Sequence, residues 1–344
     1  MDYNSCKLKK NVFNHQRDNH LDSLKRTDLL KDWLSKKLEI NFSISVASSD
    51  ASFRRYFRVK TAEDSLIVMD APPQNESIEA FLKVSQILNS INVNVPHIYE
   101  EDGALGFILM QDFGSDTYLD VLNDKNQQGL YNDAIESLIQ MQKLVKKDFC
   151  HSYTQKILFD EMALFIEWYL KKYKKFELTK KENEGLLSCF EKISKNTLNQ
   201  EKFFVHRDYH SRNLMNQKSN NPGILDFQDA LIGPVTYDLV SLLKDAYIEW
   251  DEEIVLDHAV RYWEKANANN LITNLEFSTF YKDFECMGIQ RHLKILGIFA
   301  RLSIRDNKNQ YLENIPLVEK YLMDATERYR DFHQLRNFLD KIIK

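Results

Sequence analysis

The stretch Phe203-Phe-Val-His-Arg-Asp-Tyr-His-Ser-Arg-Asn-Leu-Met215, followed by Gly223-Ile-Leu-Asp-Phe-Gln-Asp229, constrains the chain more than any other. Two short apolar runs flank a polar loop, so the loop is expected to hang from short buried strands. Asp208, Asn213 and Asp226 leave it with side chains suited to different tasks. An aspartate can accept a hydrogen bond from a hydroxyl and orient it. An asparagine five residues on, with a second aspartate at the end of the next apolar run, offers the hard oxygens that Mg²⁺ prefers.

Composition narrows what surrounds this loop. A chain of 344 residues holds one or two domains, and 43% hydrophobic with 28% charged residues is an ordinary globular balance. The net charge of −5 gives no reason to expect nucleic acid or an anionic membrane as partner, since both call for clustered positive charge. Cys6, Cys150, Cys189 and Cys286 are far apart and form no paired metal-ligand spacing, which reads as reduced thiols in the cytoplasm. The N-terminus is too polar for a secretory signal, no apolar run approaches the ~20 residues of a membrane span, and no obligate protein partner is evident.

The periodicity predicts an α+β chain in two lobes. Residues 1–26 are polar and without period, an extension. Leu29, Leu30, Trp33, Leu34 and Leu38 then share one helical face. Ile40, Phe42, Ile44 and Val46 alternate as a strand, Ser48 to Ser52 turns the chain, and Phe53, Arg55, Phe57 and Val59 alternate on the way back. A third strand runs from Ser65 to Ala71 and stops at Pro72-Pro73. A helix from Glu76 to Asn92 and a hairpin (95–99 and 105–110) complete an antiparallel lobe over 27–111. Beyond Gln111-Asp-Phe-Gly114 helices dominate 112–344: Leu130, Ala134, Leu138, Met141 and Val145 share a face, as do Phe159, Met162, Ile166, Tyr169 and Leu170. The lysine-rich run 171–181 reads as a solvated helix end.

A strand-rich lobe followed by a helical lobe with an Asp–Asn–Asp loop resembles the bilobal protein-kinase-like fold. The likeness is greatest to its small-molecule branch, the aminoglycoside phosphotransferase and choline kinase group. That group carries His-Gly-Asp-x-His-x-x-Asn and then Ile-Asp-Phe-x-Asp, against His206-Arg-Asp-Tyr-His-Ser-Arg-Asn213 and Leu225-Asp-Phe-Gln-Asp229 here. Ala51 to Val59, Val68 to Pro73, Tyr237 to Leu243 and Gln290 to Leu302 are similar to the bacterial anomeric kinases of N-acetylmuramate and N-acetylglucosamine. The resemblance implies ATP-dependent phosphorylation of an amino sugar's anomeric hydroxyl to the α-1-phosphate in cell-wall recycling. It implies Asp208 as the catalytic residue, Asn213 and Asp226 as Mg²⁺ ligands, and His206, His210 and Asp238 as braces of the loop. From the residues alone, His206, Asp208 and His210 also fit a metal hydrolase. Asp229 lies near enough to Asp226 to share its work with metal or substrate.

Two expected parts are missing. The turn between the first strands has no glycine, so Ser48, Ser49 and Ser52 stand where a nucleotide's phosphates are usually met by bare backbone. Asp70 occupies the third-strand position of a phosphate-pairing lysine. Arg55, expected on the cleft face with Phe53, Phe57 and Val59, is the candidate replacement; pairing with Asp70 or Glu79 is the equal alternative. For the acceptor, Gln290, Lys294, Gly297 and Arg301 form a polar stripe on one helix, with Arg291 in the same run. A stripe of this kind suits sugar hydroxyls or a carboxylate; its basic character argues against a polycationic aminoglycoside. Alternatives are a kinase of another small hydroxylated metabolite, or a nucleotide-binding pseudokinase.

Overall fold

The structure, a computed structural model, describes residues 25–48, 54–144 and 151–343. These divide into two compact units. One takes the described residues up to Glu79 together with His97–Asp112; the other takes Ala80–Pro96 and the described residues from Phe113 onward. Residues 80–96, which the sequence reading keeps with 27–111, thus pack with the helical unit.

The first unit opens with a helix over 25–38 (α1). It continues as β1 (Ser43–Ser48), β2 (Arg55–Lys60), β3 (Ser65–Asp70), β4 (Ile98–Asp102) and β5 (Phe107–Gln111), an antiparallel sheet in the order β1-β2-β3-β5-β4. The register sets Arg55 opposite Asp70, Phe57 opposite Val68 and Val68 opposite Leu109, so these residues share a face. That face holds the core: Leu30, Trp33 and Leu34 of α1 cluster with Val59, Val68, Phe107 and Leu109. The expectation that it lines a cleft is therefore corrected, because α1 covers it. β1 is an edge strand, shorter than the alternation suggests; Ile40 and Val46 at the ends of that pattern are exposed.

Asp70 is fully buried at the polar end of this face, where an unpaired carboxylate would cost several kcal/mol, of order 3–5. Two cations satisfy it. Arg26 Nε donates to Oδ1 at 2.6 Å, and Arg55 Nε donates to Oδ2 at 3.0 Å. Gly106 closes the turn before β5 with φ +72°, and a Cβ there would lie 1.9 Å from the Ala71 carbonyl oxygen. Only glycine fits.

In the second unit, α2 (Glu79–Ser90, counted here from Ala80) buries Phe81, Val84 and Leu88. There follow α3 (Tyr118–Val121), α4 (Gln127–Gln142), α5 (Gln155–Leu164) running into a π-helical segment (Phe165–Tyr173), and α6 (Lys180–Asn199). Two small antiparallel ladders come next, β6 (Lys202–Val205) with β9 (Leu231–Pro234), and β7 (Leu214–Met215) with β8 (Gly223–Ile224). The remainder is helical: α7 (Tyr237–Leu243), α8 (Glu252–Ala268), α9 (Phe277–Asp306), α10 (Ile315–Arg328) and α11 (His333–Ile342). All seven residues of α7 are buried. α9 runs through the middle of this unit and packs on α5, its π-helical extension, α6, α7 and α10. At Gly297 the approach is so close that a Cβ would sit 2.3 Å from the Leu164 carbonyl carbon. Among the described residues no helix is long and apolar enough to cross a membrane.

Candidate active site

The loop between β6 and β7 carries Asp208, and pairing of β7 with β8 folds the following segment back onto it. Leu225 N–H donates to the Asn213 carbonyl at 2.9 Å, which sets Asp226 beside Asn213. The Asn213 Nδ2 donates to the Asp208 carbonyl at 2.9 Å and lies 3.5 Å from Asp226 Oδ2. With the amide nitrogen turned to those two acceptors, the Asn213 carbonyl oxygen points elsewhere. Asp208, Asn213 and Asp226, predicted from spacing, are thus brought together by one loop and one hairpin. Asp229 is exposed at the segment's edge.

Two carboxylates brace this loop. Asp238, buried at the start of α7, accepts from the His206 N–H at 2.6 Å and from the Arg207 N–H at 3.0 Å. Burial raises its pKa to about 7 against the pull of these two donors and of Arg291. Asp245, just past α7, accepts from the Ser211 N–H at 2.9 Å. The His206 ring is buried, with Nε2 2.9 Å from the Leu225 carbonyl and Nδ1 3.3 Å from the Asp208 N–H. Nε2 therefore carries the proton and Nδ1 accepts. Burial lowers this histidine to about 4, so it is neutral at pH 7. The His210 ring meets the Tyr247 ring edge-on at 5.5 Å. Among the described residues no three His, Cys, Asp or Glu converge as a metal would require, and His206 is turned toward backbone. The metal-hydrolase alternative is corrected on that geometry.

Arg207 and Asp226 have φ of 78° and 61°. The left-handed region costs a residue with a Cβ ~1–2 kcal/mol, and such strain persists where surroundings over-determine it. Around Arg207 they do. Its Nη2 donates to Glu161 Oε1 at 2.8 Å, its Nε to the Tyr153 hydroxyl at 3.1 Å, and its carbonyl accepts from Arg291 Nη1 at 2.7 Å.

Glu161, on α5 and buried, is the hub of this side. Besides Arg207 it accepts from Gln290 Nε2 at 2.8 Å and pairs with Lys294 Nζ at 3.2 Å. Burial alone would raise its pKa, but Lys294 and Arg207 together hold it below the usual carboxylate range. Lys294 Nζ also donates to the Tyr237 hydroxyl at 3.0 Å, and Arg291 Nη2 lies 3.9 Å from Asp208 Oδ1. The Asp208 side chain is half exposed. Burial opposes its ionisation, but Lys294, Arg291, His210 and His206 hold its pKa down to about 2.

The polar stripe on α9 is therefore corrected. It faces α5: Gln290 is fully buried on Glu161, Gly297 is the close contact with Leu164, and only Arg291 and Lys294 stand near Asp208. Arg301 lies two turns beyond Lys294, roughly 10 Å along the helix. Its Nε is buried without a partner among the described residues. In the first unit, Ser49 and Ser52 lie outside the described residues, and Ser48 is described only as the end of β1. Arg55 is bound to Asp70. Sequence reasoning missed Glu161, Arg207, Tyr237 and Asp245. The signal for Arg207 is the glycine that the resembling motif carries at its position.

Residues 43–269 match the sequence family described as "Phosphotransferase enzyme family". The chain is 41% identical to the N-acetylmuramate/N-acetylglucosamine kinase of Neisseria meningitidis serogroup B, covering 93% of this chain and 97% of the relative. It is 42% identical to the enzyme of the same name from Pseudomonas aeruginosa, covering 85% and 86% respectively. Among solved structures, the choline kinase LicA from Streptococcus pneumoniae has the same fold with a TM-score of 0.63 and 12% identity, covering 87% of this chain and 99% of that one.

Proposed function

The chain belongs to the phosphotransferase enzyme family, and from that premise we propose that it phosphorylates the anomeric hydroxyl of N-acetylmuramate and N-acetylglucosamine with ATP. The observation that carries this reading is the half-exposed Asp208 carboxylate, ionised beside Arg291 and Lys294 on the loop that also carries Asn213, with Asp226 folded beside it by the β7–β8 hairpin.

Asp208 accepts a hydrogen bond from the acceptor hydroxyl and aims its oxygen at the phosphorus. A carboxylate with a pKa near 2 is a weak base, so its contribution is orientation, with the proton passing to it late, as a loose transition state allows. An anomeric hydroxyl suits such a group because it is more acidic than an ordinary alcohol. Arg291, beside Asp208, is our candidate to meet an acceptor's carboxylate, as N-acetylmuramate has.

The donor set fits a magnesium ion. Asn213 lies beside Asp226 with its Nδ2 toward Asp226 Oδ2, and its amide oxygen and the Asp226 carboxylate would supply the hard oxygens, leaving other positions to phosphates and water. When bound, the ion neutralises charge on the phosphate oxygens. Ser48, Ser49 and Ser52 are our candidates, from the sequence, for contacts to a nucleotide's phosphates. We assign the reaction to the cytoplasm, where ATP is available as donor.

The test uses blocked acceptors. ADP release from ATP and Mg²⁺ is expected with N-acetylmuramate or N-acetylglucosamine and absent with their 1-O-methyl glycosides, which lack the reacting hydroxyl. Equal release with the methyl glycosides would move the reaction to another hydroxyl.

A further inference from the structure

Gln228, two residues past Asp226, has no place in the account so far. It is 7% exposed, in a segment fixed by the Phe227 ring packing on Phe81 at 4.8 Å between centroids. Its Nε2 donates to Asp226 Oδ1 at 2.7 Å, while the other carboxylate oxygen, Oδ2, is the one near Asn213. The two oxygens of Asp226 are therefore distinct. The amide's own oxygen, Oε1, is buried and has no hydrogen-bond partner among the described residues. Turning the amide over would set Oε1 against a carboxylate oxygen and lose the bond that is made, so the orientation is forced. A buried carbonyl beside a pair of cation-binding oxygens is chemically suited to accept from a water in a cation's shell. Mg²⁺ is the ion for which this matters, because it keeps several of its waters when it binds.

We propose that Gln228 is a positioning residue of the cation site, holding Asp226 Oδ1 so that Oδ2 faces the ion and accepting at Oε1 from an ion-bound water. This rests on the assignment of Asn213 and Asp226 as the cation's ligands. Side chains that orient a ligand typically change metal affinity by ~10–100-fold when removed.

The experiment is titration of Mn²⁺, followed by water-proton relaxation, into the full-length protein saturated with ADP. Gln228→Leu removes both polar atoms at similar volume, and Gln228→Asn shortens the amide out of reach of Asp226. Both are expected to raise the Mn²⁺ Kd at least ~10-fold while ADP affinity without metal stays within about two-fold. Thermal melting of the metal-free variants checks that each is folded, and either one suffices. Asp226→Asn separates the two levels of the argument. If it abolishes Mn²⁺ binding while both Gln228 variants bind as the parent does, this proposal is overturned and the cation site stands. If Asp226→Asn also leaves Mn²⁺ binding unchanged, both fall.

Discussion

Asp208 owes its ionisation to neighbours that come from far along the chain. Lys294 and Arg291 stand on α9, and Glu161 on α5 keeps the first of them in place. Asp208→Asn should lower kcat by ~10²–10⁴-fold with the fold intact, read from steady-state rates beside a circular-dichroism melt. Glu161→Ala is the opposite case, a residue outside the chemistry whose loss strands the buried Lys294 and the part-buried Arg207. We expect it to cost ~3–5 kcal/mol of unfolding free energy by urea titration, and a loss below 1 kcal/mol would deny it the role of hub. Asp208, Asn213 and Asp226 were legible in the sequence because a loop and a hairpin of fixed spacing carry them. Glu161 was not. Its nitrogen donors Arg207, Gln290 and Lys294 are 46, 129 and 133 positions away, and only the Tyr153 hydroxyl, 8 positions back, is near in sequence.

Periodicity found the elements better than it found what they face. The antiparallel sheet and the helix before it follow from alternation and helical spacing, with ends displaced by a few residues at β1. Of the predicted helical faces, Ala134, Leu138 and Met141 are buried on α4 and Met162, Tyr169 and Leu170 on α5 and its π-helical extension, while Val145 lies outside the described residues. The faces were read less well for two physical reasons. Arg55 shares a strand face with Phe57 and Val59, and of the two readings the sequence leaves open for it, pairing with Asp70 is the one seen, with Asp70 opposite it and Arg55 part-buried. The stripe on α9 looked open because it is polar, yet Glu161 satisfies Gln290 and Lys294 inside the fold. Gly297 follows from the same packing. Gly297→Ala drives a methyl into the Leu164 backbone and should destabilise the protein by ~1–3 kcal/mol, seen as a lower Tm, whereas a glycine in an open stripe would gain stability on the same change.

The whole molecule carries an acid lability set by buried histidines. Burial lowers His206 and His258 to about 4 and His292 to about 3, and shifts His210 in the same direction. Each stays neutral in the folded chain while the unfolded chain takes up protons below about pH 6.5, so the stability they support is present above that pH and is lost as pH falls toward 4. Asp238 acts with the opposite sign: its pKa of about 7 makes the folded state bind a proton more readily, and its contribution declines as pH rises from about 4 to 7. Burial raises Asp283 in the same direction as Asp238, and four buried rings against these two carboxylates decide the direction. Tm should be level between pH 7 and 8 and fall steeply from about pH 6 to 4; a Tm that rose on acidification would contradict the burial of these rings. The central claim, transfer to an anomeric hydroxyl, is tested most directly by ³¹P NMR of the product formed from ATP, Mg²⁺ and N-acetylmuramate. The account predicts a phosphorus doublet coupled to the sugar's anomeric proton. A phosphorus signal coupled to any other sugar proton, or inorganic phosphate alone, would contradict it.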